Sequence, residues 1–470
     1  PASTGGSAIV GYVVTPFAGA TAKTPVTFNS TATSQTVSGL TNGTAYTFKV
    51  AAKNAVGTGA QSAASNSITP ASGPQLAVAV DTSEYNSCAV FSGGSVKCWG
   101  NNSYGQLGNG TVATATTPVS VTGLATATAV ANGRLHACAL LTGGTVTCWG
   151  YNGYGQLGND TIANSSTPVT VSGIATATSI AVGDYQSCAR LSNGTIKCWG
   201  DNTNGQLGDG TQTDRKTPVA VSGITTATGV SSGAGHVCAA LADGTVRCWG
   251  ANDEGQLGNG TTTNSKAPVA VSGITTATAV SGGEEHTCAR LSNATVRCWG
   301  DNGAGQLGDG TDAYRTTPVS VSGITTATSV SAGSTHSCAA LNTGALACWG
   351  GNENGTLGNG TVVGALTPVN VSGIANGATV AAGHKHTCAV LTDGGVRCWG
   401  SNGYRQLGNG TLTTTSSKPV SVTGPTSVTA VAIGDSHACA IAGGVVKCWG
   451  RNNDGQLGTG TTNDSSLPVS

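Results

Sequence analysis

The stretch SCARLSNGTIKCWGDNTNGQLGDGT, Ser187–Thr211, decides the fold, because most of it is written again seven other times along the chain. Its Cys-Trp-Gly begins at 98, 148, 198, 248, 298, 348, 398 and 448, a period of fifty residues without drift, and every Trp of the protein belongs to this string. Short β-type runs alternate with Gly, Asn, Asp and Ser clusters; in and beside the third repeat they are Ala177–Val182, Ser187–Leu191, Thr195–Trp199 and Pro218–Ser222. No stretch keeps a helical apolar period. Four strands per repeat, in eight repeats, predict an all-β chain built as a β-propeller of four-stranded blades.

The turn between the second and third runs sets the cysteines. Ser192-Asn193-Gly194 and Ala242-Asp243-Gly244 read as three-residue turns whose Gly takes the left-handed conformation. That places Cys188 opposite Cys198. In the eighth repeat Cys439 and Cys448 are nine apart instead of ten, the loop shrinks to Gly443-Gly444, and the cysteines still face each other. The sixteen cysteines therefore read as eight cross-strand disulfides: Cys88–Cys98, Cys138–Cys148, Cys188–Cys198, Cys238–Cys248, Cys288–Cys298, Cys338–Cys348, Cys388–Cys398 and Cys439–Cys448. Directly opposed strand residues lie roughly 4.5–5.5 Å apart at Cα, a span that a disulfide accepts. Reduced structural thiols are the competing reading. Metal ligation would call for the tight C-x-x-C spacing that is missing here. Eight bridges imply an oxidising compartment and so a secreted, periplasmic or cell-surface protein.

Twenty basic residues balance twenty acidic ones, so no basic footprint marks a nucleic-acid partner. No run approaches the roughly 18 apolar residues that membrane insertion needs.

HTCARLSNATVRCWGDNGAGQLGDGT, His286–Thr311, resembles the repeat of the regulator of chromosome condensation family, and the likeness covers about residues 76–470. The resemblance implies a propeller, usually of seven blades in that family; eight hairpins here argue for eight. It also implies a wide range of roles, among them nucleotide exchange, UV-B photoreception and β-lactamase inhibition, so fold says little about activity. The disulfide reading argues against nucleotide exchange, and the isolated Trp of each repeat argues against a photoreceptor. LTNGTAYTFKVAAKNAVGTGAQSAASNSITP, Leu40–Pro70, resembles a fibronectin type III domain, with Leu40 and Tyr46 at its tyrosine corner and Gly11-Tyr12-Val13-Val14 at its third strand. The two strands that precede it in such domains are missing. The organisation expected is a partial fibronectin type III sandwich over 1–71, a linker over 72–75 and the propeller over 76–470. The missing strands could come from a neighbouring copy, a route to polymers.

Candidate chemistry is thin. His precedes Cys by two residues at His136, His236, His286, His336, His386 and His437, with Asn86 and Gln186 in the other two repeats. A structural hydrogen-bonding role competes there with a metal-binding ring, and His384/His386 is the metal candidate. Gly-Gln-Leu-Gly precedes no helix and so does not read as a phosphate loop. Asn109, Asn259, Asn359 and Asn409 form sequons at positions where the repeat needs a turn. No His-Glu-x-x-His occurs, and neither a catalytic group nor a cofactor is expected. The variable residues are those just before the His, such as 133–135, 283–285 and 383–385, and the loops 212–216, 312–315 and 362–366. Variation on a constant frame points to a binding surface. The reading is a non-enzymatic extracellular protein of a bacterial surface, an adhesion module or assembly block, whose partner is a protein, a surface glycan or copies of itself. The rival is a secreted enzyme or enzyme inhibitor, which a deep pocket gathering carboxylates and His from several blades would favour.

Overall fold

Each repeat folds its alternating runs into an antiparallel meander whose strands lie in sequence order. In the third repeat these are Ala177–Val182, Gln186–Leu191, Ile196–Gly200 and Arg215–Ala220. The computed structural model describes residues 6–70 and 75–470, and no helix occurs among them. Residues 76–470 hold eight such four-stranded sheets, and the N-terminal residues hold a ninth. The chain divides at Gln75/Leu76, and of the expected linker 72–75 only Gln75 is described.

The hairpin turns follow local chemistry. Gly194 sits at φ 79°, and in the eighth repeat Gly443 and Gly444 take φ 56° and 80°, the paired positive values of a two-residue hairpin turn. Both turn classes leave the cysteines in register: Cys188 pairs Cys198 and Cys439 pairs Cys448. All eight hairpins carry a disulfide, with Cα separations of 4.0 Å for Cys138–Cys148 and 4.1 Å for the other seven. The fourth strand starts three residues ahead of the expected Pro218, because a bulge between Cys198 and Gly200 lets Arg215 pair Gly200. Pro218 is tolerated there because the outer strand has one free edge.

The cores lie between sheets. Cys138, Cys148, Leu157 and Val171 of the second repeat pack against Ala189 and Trp199 of the third, all but Val171 and Cys138 wholly inaccessible. The Trp explains the Gly that follows Leu: Gly158 is at φ 65°, and a Cβ there would lie 2.9 Å from the Trp199 ring and from Val171. Asn202 shapes the same loop in the next repeat. Its Oδ1 accepts the Leu207 N–H at 2.9 Å and its Nδ2 donates to the Thr213 carbonyl at 3.0 Å, which drives Leu207 into the core. The last sheet returns to the first, since Trp99 donates its indole N–H to the Gln456 carbonyl at 2.8 Å.

In the N-terminal unit, β1 (Ile9–Ala18) is flanked on one side by β2 (Thr21–Ala22) and β3 (Val26–Phe28) and on the other by β4 (Tyr46–Asn54). Among the described residues this unit has a single sheet. Its apolar face, with Tyr12, Val14, Phe28 and Phe48, opens onto a groove of about 820 Å³.

Replacing both Cys188 and Cys198 by Ala removes one ten-residue staple. On the chain-entropy estimate this lowers the free energy of opening that hairpin by about 3 kcal/mol. Hydrogen exchange at Ala189–Leu191 should accelerate relative to the same strand in repeats four to seven; unchanged protection would contradict it.

Candidate functional site

In a meander, the turn from strand one to strand two and the loop from strand three to strand four emerge at the same end of every sheet. At that end the variable residues before the His meet around the central channel, in a cavity of about 630 Å³ bordered by Glu84, Arg134, Asp184, Glu284, His384 and Asp435. Its floor is backbone, because Gly133, Gly233 and Gly283 each lie over an imidazole and leave no room for a side chain.

This end is chemically uneven. Over the first three repeats Tyr151 packs edge-on against Tyr104, Tyr154 and Tyr185, with centroids 5.1, 6.1 and 6.2 Å away. Over the fourth and fifth, carboxylates crowd. Burial raises the Glu285 pKa, and Asp301, Glu254, Glu284 and Asp253 raise it further. Arg134 pairs with Glu84 at 3.3 Å. His384 Nδ1 meets Asp435 at 2.5 Å; burial pushes the Asp435 carboxyl up, but hydrogen bonds with His384 and Ser436 more than offset that and hold it below its usual value.

The opposite end is basic. Lys97, Lys197, Arg247, Arg297, Arg397 and Lys447 open the third strands there, and Lys197 and Arg397 donate to the Gly173 and Gly373 carbonyls at 3.1 and 3.0 Å. Although the chain has zero net charge, the unit over 76–470 thus has an acidic and a basic end.

The histidines before the cysteines lie behind the channel wall, each wholly buried. His136, His236, His286 and His336 bring Nε2 to 2.8 Å from the hydroxyls of Ser187, Thr287, Ser337 and Thr387 in the following sheet, and His437 reaches Ser87 at 2.9 Å. Those hydroxyls donate to loop carbonyls, as Thr287 does to Gln256 at 3.1 Å, so the imidazole is the donor and its Nδ1 is left bare. Burial, the leading cause, pushes the pKa of His136, His286 and His437 down to about 3, and that of His236, His336 and His386 to about 4. Where the His is absent, the following sheet also lacks the hydroxyl: Asn86 precedes Ala137 and Gln186 precedes Val237. His386 faces Ala438 in that position, and neither of its nitrogens has a partner.

The metal candidate pair is split by this arrangement, with His384 at the channel mouth held by Asp435 and His386 buried behind it. Among the described residues no group of three His, Cys, Asp or Glu side chains could hold a metal ion. Gly-Gln-Leu-Gly is loop framework, and in the sequon at Asn109 the Oδ1 accepts both the N–H and the hydroxyl of Thr111, at 3.2 and 3.0 Å. The loop 212–216 lies by the outer strand, where Arg215 pairs with Asp209 at 2.6 Å. The channel mouth does gather carboxylates and a His. The His384 ring is bonded there to the Asp435 carboxylate. Gly-x-Ser-x-Gly, a string the sequence was expected to lack, does occur as Gly229-Val-Ser-Ser-Gly233. It lies on a first strand instead of a strand-to-helix turn, and its Ser231 hydroxyl accepts the Gly282 N–H at 3.0 Å.

The sequence profile of the RCC1-like domain matches residues 20–339, and that of the regulator of chromosome condensation (RCC1) repeat matches 343–390, 393–441 and 444–470. No curated protein matches the chain in sequence. Among solved structures it is similar to yeast RCC1 (Prp20) bound to Kap60, at 21% identity and a TM-score of 0.60 over 79% of this chain and 93% of that one. Prp20p from Saccharomyces cerevisiae, described with its binding to Gsp1p and histones, gives 23% and 0.59 over 77% and 90%. Human WBSCR16 gives 22% and 0.58 over 69% and 94%. At such identities the likeness speaks for the fold.

These comparisons correct two expectations, the extracellular adhesion module or assembly block with its secreted rival, and the placement at a bacterial surface. The structures matched over most of this chain are yeast RCC1 (Prp20) and human WBSCR16. The bridges themselves are local, each stapling one hairpin within a single sheet.

Thr287→Val strands the His236 N–H and should cost about 2 kcal/mol of stability. Adding His236→Gln recreates the Gln186/Val237 pairing and should recover at least half; strictly additive losses in urea unfolding would refute the coupling. Because burial lowers the six imidazole pKa values from 6.5, the unfolded chain takes up protons first on acidification. Stability should be full above pH 6.5 and fall towards pH 4, by about 2 kcal/mol per His at pH 5. A thermal midpoint unchanged between pH 7 and 4.5 would exclude this.

Proposed function

Since the chain belongs to the family of RCC1-like domains, we propose that it is a non-enzymatic binding propeller that takes a protein partner on the end bearing the acidic and tyrosine sectors. The observation that carries this reading is the segregation of charge. Side chains of one sign gathered at one end raise the encounter rate with an oppositely charged surface, and clustered tyrosines add rigid contact area. A partner with a basic patch fits the Asp253, Glu254, Glu284, Glu285 and Asp301 sector. The relatives support a protein partner, since yeast RCC1 binds Kap60 and Prp20p is described with Gsp1p and histones.

We take the eight sheets as eight blades of one closed ring, a reading supported by the contact of the last sheet with Trp99. The N-terminal sheet is read as one half of a fibronectin-type sandwich, since the Tyr46 hydroxyl accepts the Thr41 N–H at 3.2 Å as a tyrosine corner would. Nucleotide exchange on a small GTPase is a second reading, favoured by the family and by the binding of Prp20p to Gsp1p.

Core histones and Gsp1p are the probes. Binding of either should weaken with salt and fall at least tenfold in the triple variant Glu254→Lys, Glu284→Lys, Glu285→Lys. Charge reversal of Lys197, Arg247 and Arg297 at the other end should leave it unchanged. Absence of binding, or equal losses from the two ends, would sink the proposal; accelerated release of nucleotide from Gsp1p in the same mixture would decide for exchange.

A further inference from the structure

The sixth repeat departs from the pattern at two touching positions. Every other repeat has Gln where this one has Thr356, and this one alone follows Cys-Trp-Gly with a second Gly, Gly351. In the other seven, the Gln Oε1 accepts the backbone N–H two residues upstream, as Gln306 does from Ala304 and Gln206 from Asn204, both at 2.9 Å. Where Asp follows Cys-Trp-Gly, the Gln Nε2 also donates to it, Gln206 to Asp201 at 2.6 Å. Thr356 cannot span that distance, and its hydroxyl turns to the Gly351 carbonyl at 2.6 Å. The Asn354 N–H is then the one of its eight equivalents without an acceptor among the described residues.

Beside Thr356 and Asn354 lies a cavity of about 210 Å³, room for several waters. Gly351, Glu353, Asn354, Thr356, His384 and Lys385 border it. Gly351 brings no side chain to the cavity, and a Cβ there would lie 2.9 Å from the Thr335 hydroxyl. Glu353 and Lys385 form no ion pair with any described residue, so a negative and a positive group stand uncommitted beside one unbonded N–H.

We infer that this cavity is a binding site for a small zwitterion bearing a primary carboxamide, the chemistry of a free glutamine. The carboxamide takes the place of the side chain that the repeat omits, its oxygen accepting the Asn354 N–H, while the carboxylate and ammonium ends are matched by Lys385 and Glu353. The site lies at the same end as the proposed protein-binding surface and shares His384 with the channel mouth, but its ligand contacts need no protein partner.

L-glutamine titrated calorimetrically into the full chain tests it. One molecule should bind per chain, and L-norvaline, which replaces the carboxamide by a methyl group, should bind at least tenfold more weakly. Thr356→Gln restores the residue of the other seven repeats; it should abolish binding with an unfolding temperature no lower than the parent, because the Asn354 N–H regains its acceptor. Lys385→Ala, which leaves the loop intact, should weaken binding severalfold. No binding of L-glutamine, equal binding of L-norvaline, or undiminished binding by Thr356→Gln would each overturn the assignment.

Discussion

One hydrogen bond repeated around the ring constrains the rest of it. The indole N–H of each sheet donates to a loop carbonyl of the sheet before: Trp149 to Gln106, Trp199 to Gln156 and Trp249 to Gln206, at 2.8 to 2.9 Å. To present that carbonyl the loop must fold back on itself. Asn202 holds it from within, and a Gly at positive φ lies against the next indole. The carbonyl is shared with the Ser or Thr hydroxyl that receives the imidazole N–H, so Trp, hydroxyl and His form one chain of bonds across the seam. A buried chain of this kind stabilises only when every member is satisfied, which accounts for the joint loss of His and hydroxyl at Gln186 and Val237. His386 opposite Ala438 is the exception, a buried imidazole left to bear its desolvation alone.

Given that frame, function falls to the positions that it leaves free. A side chain at the turn before His or in the first residues of the third loop touches neither the indole nor the carbonyl. Such positions are those at which Glu284, Glu285, Asp301 and the tyrosine cluster occur. The sixth repeat shows the complementary case, where the frame itself is altered and a space opens beside Asn354.

The hairpins were legible because their determinants lie within about ten residues: turn length, a Gly at positive φ and strand alternation together place Cys188 opposite Cys198, and the same reasoning held when the eighth repeat lost a residue. The start of the outer strand is not legible in the same way, since the bulge after Cys198 leaves no mark beyond Gly200. The loop role of Gly-Gln-Leu-Gly was readable from its repetition. The unbonded Asn354 N–H could have been found from Thr356 alone, the single break in a column of Gln, but only once the partner of that Gln was known.

The sequence by itself determined the strand order, the turn classes and the repeat count, because each is settled by neighbours along the chain. It also established that charges balance, and there it misled, for a sum carries no direction. Tertiary structure alone decided that the turns before His and the loops after Cys-Trp-Gly share one end while the lysines and arginines opening the third strands share the other. It alone showed that a His and a hydroxyl 51 residues apart are one interaction. Both facts depend on which sheet lies beside which, and that is set by closure of the ring and not by any local run of residues.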